Sequence, residues 1–120
     1  MEYSILLLDD NEDILALTKC NLESIDNLKI LQFSDPVQAL RRIHLFGAPD
    51  LIITDLDLPE MNGIDFLAEV KRLHPDIKAV IFTGRPDALP KGCVFPVIRK
   101  ELNAYKHLIA LVRSILCISD

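Results

Sequence analysis

The chain has no tryptophan, and aromatic residues make up only 6% of its 120 positions. No apolar run approaches the roughly 18 residues of a spanning helix, which argues against a helical membrane protein. Basic residues do not dominate either. Thirteen Lys and Arg stand against eighteen Asp and Glu, a net charge of −5, the wrong sign for a nucleic-acid or anionic-lipid surface. Three cysteines, Cys20, Cys93 and Cys117, are odd in number and widely spaced, with no CxxC pair. They argue against a disulfide framework or a zinc site and are expected to be buried or half-buried free thiols in a reducing, cytoplasmic setting. Ser4 to Leu8 is too short for the apolar core of a secretion signal, and no basic residue precedes it, so no leader is expected.

What is present is an alternation. Ile5–Leu8, Leu28–Phe33, Leu51–Thr54, Ile77–Phe82 and Cys93–Ile98 are short apolar runs with little polar alternation, as expected for strands covered on both faces. Helical periods lie between them. Leu15, Thr18, Leu22 and Ile25 make one stripe. Ala39, Leu40 and Ile43 follow Asp35-Pro36, a cap residue and a first-turn proline. Ile64, Leu67, Val70 and Leu73 make a third stripe, and Ala104, Leu108, Leu111 and Ile115 the last. Each covers one helical face, as packing against a sheet requires.

This rhythm predicts a single α/β domain over residues 1–120. Its core is a doubly wound, five-stranded parallel sheet, for which right-handed crossovers leave few orders, 2-1-3-4-5 among them. Pro96 falls inside the fifth run and is tolerated if that strand is at an edge. Residues 84 to 92 hold two prolines and two glycines, so the fourth helix is expected to be short or irregular.

Ligands of such sheets sit beyond the carboxyl ends of the strands. Asp9 and Asp10 follow the first run, Asp55 and Asp57 the third, Thr83-Gly84 the fourth and Lys100 the fifth. The first and third strands would be neighbours, so Asp9, Asp10 and Asp55 can meet. Crowded carboxylates must take up protons or a cation. Oxygen donors without His or Cys suit magnesium. A carboxylate can serve as the nucleophile toward a phosphoryl group, and Lys100, Thr83 and the metal can offset the charge on its oxygens. Singly, each of these residues reads more simply as a strand end or helix cap, and Asp10 or Asn11 suits that role. Their arrival at one sheet edge carries the functional reading.

At this point the chain resembles the receiver domains of two-component response regulators. The most specific part is Asp55-Leu56-Asp57-Leu58-Pro59-Glu60-Met61-Asn62-Gly63, similar to that family's phosphoacceptor aspartate and following Pro-x-Met-x-Gly loop. Leu8-Asp9-Asp10, Phe82-Thr83-Gly84 and Arg99-Lys100 complete the pattern. The resemblance implies a flavodoxin-like fold, phosphorylation of Asp55 by a histidine kinase or phosphotransfer protein, and Mg2+ held by Asp9, Asp10, Asp55 and the backbone carbonyl of Asp57. It implies that Thr83 and Lys100 contact the phosphoryl group and that an effector protein or domain reads the result. A phosphorylation-dependent dimer is compatible with it. No direct contact with nucleic acid or membrane is expected, and no catalysis beyond the domain's own phosphotransfer and slow dephosphorylation.

The chain departs from the family pattern in three places. Glu101 stands where proline usually follows the lysine, Val97 stands at the position of the usual switch aromatic, and Thr83 to Lys100 is shorter than usual. Asp57 and Arg85 each lie two residues beyond a site residue; the resemblance implies that these positions flank the phosphoryl group, and an ion pair between them that shields the acyl phosphate is an expectation to test. Two other readings compete. Ile53-Thr54-Asp55-Leu56-Asp57 is similar to the nucleophile motif of haloacid-dehalogenase-type phosphatases, but here it lies on the third strand and the second acidic pair precedes it. A degenerate receiver acting as a phosphorylation-independent binding module is the other.

Overall fold

The computed structural model describes residues 2–118, and most of its elements follow from a local signal in the chain. Strand β1 (Tyr3–Leu8) leads into α1 (Glu12–Leu22), β2 (Leu28–Phe33), α2 (Pro36–Phe46), β3 (Leu51–Thr54), α3 (Gly63–Leu73) and β4 (Ala79–Thr83). A single 3-10 turn (Pro86–Ala88) comes next, then β5 (Val97–Arg99) and α4 (Ala104–Leu116). Three of the helices, α1, α2 and α3, start at a side-chain cap. Asn11 Oδ1 accepts from the backbone N–H of Asp13 and Ile14, Asp35 from Val37, and Asn62 from Asp65. These bonds satisfy donors that the first helical turn cannot.

The five strands form one parallel sheet in the order β2-β1-β3-β4-β5. Leu51–Thr54 and Ala79–Thr83 are buried at every position, because both strands have a neighbour on each side and helices on both faces. Alternate residues divide the core in two. Ile5, Leu7, Ile53, Val80 and Phe82 pack on the side of α1 and α4, against Leu15, Leu22, Leu108 and Val112. Leu6, Leu8, Ile52 and Ile81 face the other way, against Ala39 and Ile43 of α2 and Phe66, Leu67 and Val70 of α3.

Three expectations need correction. The fifth strand is shorter than the apolar run: it begins at Val97, so Pro96 lies just outside it. Pro96 still contributes, because its carbonyl accepts from Ile81 N–H at 2.9 Å, a bond that needs no proline donor. The rest of that run is apolar because Cys93, Phe95 and Val97, with Leu89, pack on the α2–α3 side of the core. The irregular segment thus supplies some of the cover that a longer fourth helix would give. The second correction concerns helix faces. In α4 the buried positions are Ala104, Leu108, Val112 and Leu116, with Leu111 and Ile115 only partly covered. In α3 Phe66 is buried while Leu73 is 49% exposed. Third, Cys20 and Cys117 are exposed and only Cys93 is half-buried. Cys20 lies off the buried Leu15–Thr18–Leu22 face of α1, and Cys117 caps the end of α4.

Candidate phosphoacceptor and metal site

Sheet register sets the site. Leu8 pairs with Thr54 across β1 and β3, so the residues that follow them, Asp9 and Asp55, emerge at the same level. The backbone holds them there. Asp55 N–H donates to Leu8 O at 2.9 Å and Asp9 N–H to Phe33 O at 3.1 Å. On the other side Thr83 pairs with Arg99, and Lys100 N–H donates to Thr83 O at 2.8 Å. Two aspartates, a threonine and a lysine from four strand ends therefore converge.

One carboxylate oxygen from each of Asp9, Asp10 and Asp55 lies within 4.8 Å of the other two. Asp9 and Asp55 are buried, Asp10 exposed. Burial pushes Asp9 above the ordinary 3.8, although the Lys100 ammonium and the Asn11 backbone N–H pull the other way. Lys100 Nζ stands 2.6 Å from Asp9 Oδ2 and 3.1 Å from Asp55 Oδ2. Burial alone would lower this lysine, but Asp9 and then Asp55 outweigh it and hold it above 10.5. The second oxygen of Asp55 is fixed by Leu56 N–H at 2.7 Å.

The donor set passes the test for a hard divalent cation: three carboxylates close together, open to water through Asp10, with no His or Cys among them. Asp57 stands apart, because its side chain points to Arg85. Nε and Nη2 of Arg85 donate to Asp57 Oδ2 at 3.0 Å and Oδ1 at 2.6 Å, the paired geometry that arginine favours. The Arg85 hydrogen bond lowers Asp57 below 3.8. This leaves only the backbone carbonyl of Asp57 for the role expected of it.

Thr83 is fully buried. Its Oγ1 accepts from Arg85 N–H at 3.1 Å, which leaves the hydroxyl hydrogen to donate. Gly63 opens α3 where the helix meets the acceptor loop. A Cβ there would run into the carbonyl oxygen of Asp55, and Gly63 N–H donates to Leu56 O at 2.8 Å. The glycine is thus a requirement of close approach.

Sequence reasoning missed the contacts behind Lys100. Its ammonium lies 5.7 Å from the Phe82 ring centroid, and that ring lies 5.5 Å from Tyr105. Tyr105 Oη and Thr18 Oγ1 share a hydrogen bond at 2.9 Å, joining α4 to α1. The one available signal was Thr18 itself, a hydroxyl in an otherwise apolar stripe, which needs a partner when buried.

A family model described as the response regulator receiver domain matches residues 5–92. The chain belongs to this receiver-domain family. The receiver domain is 33% identical over 82 residues to the transcriptional regulatory protein ComA of Bacillus subtilis, covering 67% of this chain and 38% of that protein. It is 30% identical over 125 residues to a protein-glutamate methylesterase/protein-glutamine glutaminase of Saccharophagus degradans, covering 94% of this chain and 36% of that protein. It thus spans little more than a third of either relative. Among solved structures, a response regulator receiver domain protein from Clostridium thermocellum superposes with a TM-score of 0.78 at 31% identity, over 96% of this chain and 95% of that one. That superposition reaches past residue 92, so the receiver fold includes β5 and α4. Among the described residues no helix is long and apolar enough to cross a membrane.

Proposed function

We propose that residues 1–120 form one cytoplasmic receiver domain that accepts a phosphoryl group on Asp55 from a histidine kinase or phosphotransfer protein and thereby changes the surface read by an effector protein or domain. The observation that carries the proposal is the joint placement of Asp55 Oδ2 and Asp9 Oδ2 around a single ammonium, Lys100 Nζ.

Asp55 is the nucleophile. Its Oδ1 is pinned by Leu56 N–H, so the oxygen that faces the open site attacks phosphorus. A P–O bond forms as the bond to the donor's leaving group breaks, and an acyl phosphate results. Lys100 then pairs with a phosphoryl oxygen, and Thr83 turns its hydroxyl hydrogen toward another. Asp9, Asp10, Asp55 and the Asp57 carbonyl would hold Mg2+, which when bound offsets the charge on the transferring group. Arg85 and Asp57 span the edge of the site and limit the approach of water to the acyl phosphate.

Borohydride locates the modified residue. It reduces an aspartyl phosphate to homoserine with release of phosphate. After incubation with phosphoramidate and magnesium, peptide mapping is expected to find homoserine at position 55. Its appearance at another aspartate, or at none, contradicts the assignment. The competing reading, a binding module indifferent to phosphorylation, draws its support from Val97 and the irregular Pro86–Pro96 segment, and it predicts no homoserine anywhere.

A further inference from the structure

Helix α3 buries Phe66, Leu67 and Val70 in the core and turns another line outward. Ile64, Ala68 and Lys71 are spaced i, i+4 and i+7, which places them on one face of the helix. Ala68 and Lys71 are exposed and Ile64 is half-buried. Alongside this face runs the irregular crossover, which holds a single 3-10 turn in place of a longer fourth helix. Between the two lies an open groove of about 220 Å³, lined on the crossover side by Lys91, Cys93, Val94 and Phe95. Cys93 and Phe95 pack inward on the core, but Val94 is 71% exposed.

Among the described residues no carboxylate lines this groove, and neither Lys71 nor Lys91 takes part in an ion pair. Lys71 Nζ lies 5.7 Å from the Phe95 ring centroid, so its stem covers apolar surface while its charge stays at the rim. Two cations thus border an apolar floor in a chain of net charge −5. An apolar centre with a polar rim is the anatomy of a protein contact. The groove is smaller than the roughly 300–1,000 Å³ of a small-molecule site and suits anchoring side chains instead. The i, i+4 row on α3 is the kind of ridge against which another helix packs, and the small Ala68 at its centre permits close approach. We propose that the groove docks an acidic amphipathic helix of a partner protein. One apolar line of that helix seats on Ala68, Val94 and Phe95, and its flanking glutamates or aspartates meet Lys71 and Lys91. None of the groove residues belongs to the site around Asp55, so docking is separable from phosphoryl transfer there.

Two synthetic peptides of about 16 residues, long enough to hold a helix, test this by fluorescence anisotropy. Both carry the same leucine line, flanked by glutamate in one and by lysine in the other. The native chain is expected to bind the glutamate peptide saturably and about tenfold more tightly than the lysine peptide, since two ion pairs give way to like-charge contacts. In the doubly reversed chain, Lys71→Glu with Lys91→Glu, the preference should invert. Val94→Asp should weaken binding of the glutamate peptide. All three positions are exposed, so these variants are expected to keep the native circular dichroism. Thiol labelling locates the contact on the native chain, whatever the variants do. The glutamate peptide should slow iodoacetamide modification of Cys93 and leave that of the exposed Cys20 and Cys117 unchanged. Equal affinity for both peptides, no saturable binding of either, or an unprotected Cys93 overturns the proposal. Concentration-dependent dimerisation that protects Cys93 without peptide overturns it too, and assigns the groove to a second copy of this chain.

Discussion

Lys100 and Arg85 both pair with aspartates at this edge of the sheet, yet their physics differs. Arg85 and Asp57 are exposed, with side-chain accessibilities of 65% and 51%, so their pairing adds little to stability. Its value lies in where it sits. Arg85→Ala is expected to leave the thermal midpoint nearly unchanged and to speed loss of the phosphoryl group several-fold. Following decay of the phosphorylated mass at neutral pH checks this, and an unchanged decay rate removes the shielding role. Lys100 is half-buried and held above 10.5 by Asp9 and Asp55. A folded-state value above the unfolded one means that the pair's contribution is complete below pH 10.5 and fades as pH rises through the higher folded value. Chemical denaturation between pH 9 and 12 should therefore show an alkaline loss in the native chain that is smaller in Lys100→Met. Parallel profiles would show that the lysine titrates no differently once folded.

Helices and strands were legible to different depths. The Asp35-Pro36 start of α2 was readable because cap and proline act locally, and for α1 the sequence narrowed the cap to Asp10 or Asn11, of which Asn11 serves. The faces of α3 and α4 were less so. In α4, Ile109, Leu111 and Ile115 are apolar yet only partly covered. Apolar residues circle most of that helix, and periodicity alone does not pick out the line that meets the sheet. A pair of substitutions reads this directly. Leu108→Ala is expected to cost about 2–5 kcal/mol, as for a fully buried leucine. Leu111→Ala should cost less than half as much, because less apolar area is lost. Urea denaturation of both variants distinguishes them, and equal losses would mean that α4 sits on the sheet in another rotation. The fifth apolar run was misread for a related reason. Cys93 and Phe95 report burial against the core, which an irregular segment achieves as well as a strand.

At the scale of the whole molecule, alternation of strand and helix was enough to place Asp9, Asp55, Thr83 and Lys100 at one edge, because topology and register leave little freedom. What the sequence withheld was the pairing within that edge. Nothing in the residue order says that the Lys100 ammonium bridges Asp9 and Asp55, or that Tyr105 reaches Thr18, since such contacts depend on side-chain rotamers. The irregular Pro86–Pro96 segment and Val97 mark the part of the surface where this receiver domain differs most from the family pattern, and the effector contact is expected to be distinctive there. The central claim is that the whole edge works as one phosphoacceptor site. Intact mass after incubation with acetyl phosphate, with and without magnesium, tests it on the native chain and on Asp55→Asn. The account predicts a magnesium-dependent gain of one phosphoryl group in the native chain and none in the variant. No gain under any condition, or an equal gain in Asp55→Asn, would contradict it.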